Sequence, residues 1–183
     1  MEEIFCDLKV VEVITSTKIT LTETDTNQKI EITGVPTNSI LLKLDVNEAG
    51  YKKRSNYFRT HTELIHKGCD YVLILKDRQE CLLIELKSER PNIKDTINQL
   101  ITSKLFIAYC TKLWGYKIGN CNFELTYKNI LFSEKYNRKL CNGKGLYLIT
   151  LGKRYDFPKD NCNNPIEIYT PGFKKRLKLS ELL

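Results

Sequence analysis

Residues 68–87 read GCDYVLILKDRQECLLIELK, two apolar runs separated by a short polar turn. Side chains in an extended strand alternate between faces, so Glu85 and Lys87 at the end of the second run point the same way. A turn centred between Asp77 and Arg78 sets Asp70, at the head of the first run, opposite Glu85. Opposed residues on one face of an antiparallel pair have Cβ atoms about 5 Å apart. The hairpin therefore gathers an Asp, a Glu and a Lys among Val72, Ile74, Cys81 and Leu83. A one-residue slip would separate the two carboxylates.

Such a cluster is costly. Like charges set opposite each other destabilise a sheet, and charges beside apolar strands lose hydration. A divalent cation resolves the conflict. Two carboxylates plus a peptide carbonyl, here that of Leu86 between Glu85 and Lys87, make a hard oxygen site suited to Mg²⁺ or Mn²⁺. Lys87 is then placed to orient a water or to offset negative charge developing on phosphorus.

Asp70, followed by an apolar strand ending in Glu85-Leu86-Lys87, resembles the PD-(D/E)xK nuclease superfamily. The resemblance spans roughly residues 55–110. Cys69 stands where that family has its Pro. It implies an α/β fold of restriction-endonuclease type: a mixed central β-sheet flanked by helices, the hairpin at its centre. It implies Mg²⁺- or Mn²⁺-dependent cleavage of a phosphodiester in nucleic acid, DNA above all, in restriction, defence or repair. Asp70 and Glu85 would hold the metal and Lys87 would assist the water. Many members carry an acidic residue on the helix before the Asp strand; by position this is Glu63, for which an Arg59–Glu63 surface pair is the alternative. The RecB-like branch has a Gln followed four residues later by Tyr on the next helix. Gln99 matches and Ser103 departs, leaving Gln99 either near the site or simply solvated.

The remaining chain is read as one domain over 1–183. Residues 1–46 form a β-rich extension, with strands at Leu8–Ile14, Lys18–Thr22, Lys29–Ile32 and Ile40–Val46 and a turn at 25–27. This extension is either an extra sheet or part of the main one. Ser55–Lys67 has helical spacing, with Ser55 able to cap it and Gly68 able to end it. Asn92 can cap a second helix running to about Ala108, its apolar face Ile93, Ile97, Leu100, Ile101, Leu105 and Ala108. Residues 114–122 read as a connection, and strands follow at 123–132, 146–151 and 166–169. Residues 173–183 read as a basic, helical end.

Basic residues exceed acidic ones by seven (29 Lys and Arg against 22 Asp and Glu), which favours an anionic partner. Lys52, Lys53 and Arg54 lie just upstream of the candidate site with Tyr51 and Tyr57, and Arg138 and Lys139 sit in a Gly-containing loop. Together with Arg59 these are candidate nucleic-acid contacts, or else a solvated surface. Seven cysteines, odd in number and without a C-x-x-C, read as reduced and mostly buried thiols. No apolar run approaches the roughly 20 residues that cross a bilayer, and MEEIFCDLK is acidic, so a cytoplasmic protein with no membrane contact is expected. A homodimer, or a separate recognition or sensor protein, would suit a nuclease this small. Two other classes stay open: a non-catalytic nucleic-acid-binding or assembly subunit that retains the fold, and a basic RNA-binding module, although no RNA-binding signature is present.

Overall fold

The computed structural model describes residues 1, 10–23, 27, 29–46, 66–87, 92–133, 139–142, 145–148, 153–157, 166–171 and 176–183, and for 139–166 the backbone alone. The chain is mixed α/β. Strands β1 (Val11–Val13), β2 (Lys18–Thr22), β3 (Lys29–Thr33), β4 (Ile40–Lys43), β5 (Tyr71–Leu75) and β6 (Glu80–Lys87) precede helix α1 (Ile93–Lys117). After it come β7 (Thr126–Ser133), β8 (Lys139–Asn142), β9 (Gly145–Leu148), β10 (Lys153–Phe157), β11 (Ile166–Thr170) and β12 (Arg176–Lys178).

Seven strands form one sheet in the order β1-β4-β5-β6-β7-β11-β10. The pairs β6–β7 and β7–β11 are parallel and the rest antiparallel. β5 and β6 lie near the centre and are apolar on both sides, as strands covered on two faces must be. One face, carrying Ile40, Leu42, Val72, Ile74, Cys81, Leu83 and Leu131, packs on Ile93, Leu100 and Ile107 of α1. The opposite face, with Leu73, Leu82, Ile84, Leu86 and Phe132, packs on a three-stranded sheet ordered β12-β3-β2.

The N-terminal strands therefore divide. β1 and β4 extend the main sheet at its edge, while β2 and β3 build the second layer. A helix on each side was expected. Among the described residues α1 covers one face and a small sheet covers the other. The helix expected over Ser55–Lys67 lies outside the described residues except for His66 and Lys67, which are not helical. Residues 173–183 are no helix where described. Leu177 and Leu179 recur at the strand period of two and bury in the second layer, with β12 parallel to β3 and a 3-10 turn at Leu179–Glu181 after it. Lys139 opens β8, which pairs with β9 in a hairpin instead of lying in a loop.

α1 starts as expected. Asn92 Oδ1 accepts from the N–H groups of Lys94 (3.1 Å) and Asp95 (3.5 Å), satisfying two free donors of the first turn. The helix runs on to Lys117, well past Ala108. Its buried stripe is Ile93, Thr96, Leu100, Ser103, Ile107, Cys110 and Thr111, and Leu105, expected in the core, is 65% exposed. The polar members have local uses: Ser103 Oγ accepts from Cys69 N, and Thr111 Oγ1 donates to Ile107 O. The helix stops where Asn120 N donates to Gly115 O and Gly119 takes a positive φ of 71°. Cys69, Cys81 and Cys110 are buried and Cys121 exposed, and none of the four is in a disulfide. Among the described residues no helix is long and apolar enough to cross a membrane.

Candidate metal centre

The hairpin has the register expected of it. Tyr71 pairs with Ile84 and Leu75 with Glu80. The turn that sets this register is a 3-10 turn at Lys76–Arg78 closed by Gln79, whose φ of 52° lies in the left-handed region. Continued one step beyond Tyr71, the register brings Asp70 beside Glu85.

Here the main-chain ladder gives out and the two carboxylates replace its last rung. Asp70 N donates to Glu85 Oε2 at 3.2 Å, and Leu86 N donates to Asp70 Oδ2 at 2.6 Å. Asp70 O also accepts from Leu44 N at 3.0 Å, so this residue ties β4 to β6. Lys87 Nζ stands 2.6 Å from Glu85 Oε1. The ammonium and the carboxylate oxygen form a close ion pair there. Glu85 is fully buried and the Lys87 side chain is 34% exposed. Asp70, Glu85 and Lys87 thus sit on the α1 side of the sheet, with the apolar neighbours expected of them. Leu86 turns its side chain into the opposite core. Its N–H is directed at Asp70, and in a strand the carbonyl of the same residue faces the same flank.

α1 braces the segment leading into Asp70. Gln99 Nε2 donates to Gly68 O at 3.2 Å, Thr102 Oγ1 to Lys67 O at 2.5 Å, and Ser103 Oγ accepts from Cys69 N at 2.8 Å. Gln99 therefore holds the backbone two residues before Asp70. Ser103, the departure from the RecB-like pattern, is a second brace on the same segment.

The electrostatics follow from burial. Loss of hydration pushes the Asp70 carboxyl up to about 6. The Leu86 N–H and Lys87 pull it back, while Asp45 and Glu23 push it further. Glu85 is pushed up to about 8 by burial and then by the Asp70 charge, against the pull of Lys87. For Lys87, burial works against the charge, but Glu85, with Asp70 and Asp45 behind it, outweighs burial and holds the ammonium above its ordinary range. The two acids titrate as a pair, so that ionising one makes ionising the other harder. The Cys69 thiol, pushed up to about 12 by burial and by the neighbouring carboxylates, is inert.

The donors suit Mg²⁺ or Mn²⁺ in kind. Two hard carboxylates meet across adjacent strands, and the buried Glu85 Oε1 already faces a cation, the Lys87 ammonium. Among the described residues no group of three or more His, Cys, Asp and Glu side chains is gathered closely enough to hold a metal ion. Glu63, the expected third carboxylate, lies outside the described residues, as do Lys52, Lys53, Arg54, Arg59 and Arg138; the side chain of Lys139 is likewise not described.

Three neighbours were missed from the sequence. Asp45 follows β4, whose partner β5 begins beside Asp70, and it acts electrostatically on both Asp70 and Lys87. Aligning the strand at 40–46 against the hairpin would have found it. Buried Glu23 follows Thr22, whose backbone N–H and C=O both bond the Tyr71 hydroxyl. Ser133, at the end of β7, is registered with Lys87. Compared with known proteins, the chain matches no family model, no curated protein and no solved structure.

Proposed function

We propose that this chain is a Mg²⁺- or Mn²⁺-dependent nuclease with a restriction-endonuclease-like core, hydrolysing phosphodiester bonds in nucleic acid, DNA above all. The observation that carries this reading is the meeting of Asp70, Glu85 and Lys87 on one face of two adjacent central strands. Charges are rarely buried unless paired or used.

Asp70 and Glu85 would hold the cation, and the Leu86 carbonyl faces the same flank. When bound, the cation supplies Lewis acidity toward a phosphoryl oxygen and lowers the pKa of a coordinated water. A bound cation would favour the ionised form of both carboxylates, against the burial that raises their pKa values. Lys87 stays charged throughout, which suits it to bind a phosphate oxygen and offset charge building on phosphorus, and makes it a poor general base. Buried Glu85 and the sheet behind it keep bulk water from one side of the site. The net charge of +7 favours a polyanionic substrate.

A second reading draws on the small donor set. With two carboxylates already bonded to their own backbone, the fold would also suit a non-catalytic nucleic-acid-binding or assembly subunit. Thermal melting with increasing Mn²⁺, beside cleavage assays on linear, nicked, branched and single-stranded DNA and on RNA, separates the two. A nuclease gains melting temperature as Mn²⁺ saturates it and cleaves in an Asp70-dependent manner. Stabilisation without cleavage of any substrate favours the subunit reading, and neither response overturns the metal site itself.

A further inference from the structure

The parallel register between β6 and β7 pairs Glu85 with Leu131 and Lys87 with Ser133. Laterally registered residues of paired strands point to the same face of a sheet. Leu131 lies in the core beneath α1, so Ser133, two residues on, shares the face of Asp70, Glu85 and Lys87. Ser133 is 4% exposed, and its Oγ has no hydrogen-bond partner among the described residues. A buried hydroxyl left without a partner is costly and calls for a reason. The register thus sets the Ser133 hydroxyl on the strand beside Lys87 and on the face that carries Glu85 Oε1, the oxygen the ammonium now pairs with.

We infer that Ser133 is a positioning residue for Lys87, its hydroxyl being the seat the ammonium takes when a divalent cation occupies Glu85. The inference rests on the cation-binding part of the reading above. Lys87 has two tasks that exclude each other. In the cation-free protein it offsets Glu85 at 2.6 Å. With a cation on Glu85, the ammonium meets repulsion where it had attraction and must leave. Its flexible four-carbon stem permits the move. Without an acceptor at the back of the site, a side chain already 34% exposed would turn out to water. Ser133 Oγ accepts one ammonium proton and leaves the other two for a phosphate oxygen or a water. Because that oxygen is closed to solvent, bulk water does not compete for it.

The test uses the full-length protein with its lysine side chains isotopically labelled at Cε and Nζ, the Lys87 signal being assigned by its loss in Lys87→Ala. Titration with Mg²⁺ should move the wild-type Lys87 signal and leave it restricted in motion. In Ser133→Ala, saturating Mg²⁺ should give the signal of a mobile, solvated lysine, with Mg²⁺ affinity changed by less than about twofold; Ser133→Thr should behave as wild type. Melting in chelator confirms folding, since removing an unpartnered hydroxyl does not weaken the core. In turnover, Ser133→Ala should lower kcat about tenfold with KM unchanged, and have no further effect in a Lys87→Ala background. A Lys87 signal in Ser133→Ala and Mg²⁺ matching the wild type overturns the inference. So does an equal kcat loss with and without Lys87. A wild type that binds Mg²⁺ yet cleaves nothing defeats the nuclease reading while the lysine signal still decides Ser133. A wild type that binds no Mg²⁺ overturns both.

Discussion

Changing Glu85 to Gln should make the cation-free protein more stable at alkaline pH. In the folded state Glu85 is held at about 8 against an ordinary 4.5, and Asp70 at about 6 against 3.8. The sign follows from proton counts. Between the ordinary and the raised values the folded chain keeps protons that the unfolded chain has released. Stability therefore falls as pH rises from about 4 toward 8, and it is highest on the acid side of that window. Ionising Glu85 in the fold works against its burial and the Asp70 charge, relieved in part by Lys87 and by the pairing of the two acids. A loss of about 2–4 kcal/mol between pH 5.5 and pH 8.5 is the expected scale. At roughly 2–4 °C per kcal/mol for a chain of this length, the wild-type melting temperature in chelator should drop by about 5–15 °C over that range. Glu85→Gln keeps an oxygen to accept from Asp70 N and removes the titration. Its melting profile should be flatter, crossing above wild type near pH 7. Adding Mn²⁺ should restore the wild type at pH 8.5, because a bound cation replaces the retained proton, and should do nothing for the variant. The assay is thermal or urea unfolding in chelator from pH 5 to 9 on both proteins. Equal slopes in both, or a wild type whose stability rises over this window, would refute the assignment of a buried, proton-retaining pair.

Lys87→Ala should cut single-turnover cleavage by about 100-fold or more while leaving Mn²⁺ affinity equal or raised, whereas Asp70→Ala should lose affinity and activity together; calorimetry and kinetics on the same samples distinguish them. Neutralising Lys52-Lys53-Arg54, or Arg138-Lys139, should weaken nucleic-acid binding and flatten its salt dependence, and an unchanged salt slope in both would return these residues to the solvated surface. Gly115→Ala brings a Cβ to 2.6 Å from Asn120 O, a backbone atom that closes the end of α1, and should cost about 1–3 kcal/mol by urea unfolding despite the better helix propensity of Ala.

The site was legible in the sequence to the extent that it was local. Asp70 and Glu85 are joined by a hairpin whose register follows from a short polar turn between apolar runs, and Asn92 announces the start of α1 by its own side-chain chemistry. The rest depended on distant partners. The face of α1 was legible in part: Ile93, Ile97, Leu100 and Ile101 meet the core as expected, whereas Leu105 is exposed and the polar Thr96, Ser103 and Thr111 are buried, which apolar spacing does not reveal. Gly115 and Trp114 read as a connection although they complete the helix, since Gly115 is required by the returning loop at Asn120. The chain end looked helical because nothing near Arg176–Lys178 reveals the strand it joins, β3, far back in the sequence. Ser133 was invisible for the same reason: its place beside Lys87 is set across the whole of α1.

That crossover also orders events in time. A hairpin closes within microseconds, whereas a parallel pair separated by a helix has to wait for distant chain to arrive. During synthesis Asp70, Glu85 and Lys87 therefore meet first, on a half-built sheet still open to water. There the two acids are ordinary carboxylates and the lysine an ordinary surface amine. Their burial is complete only once α1 has packed on this face and β7, with Leu131 and Ser133, has paired beside β6. The raised pKa values of the pair, which follow from burial, are thus acquired with the closing of β7, and a nascent chain that has not yet made that strand carries Asp70, Glu85 and Lys87 without that shift.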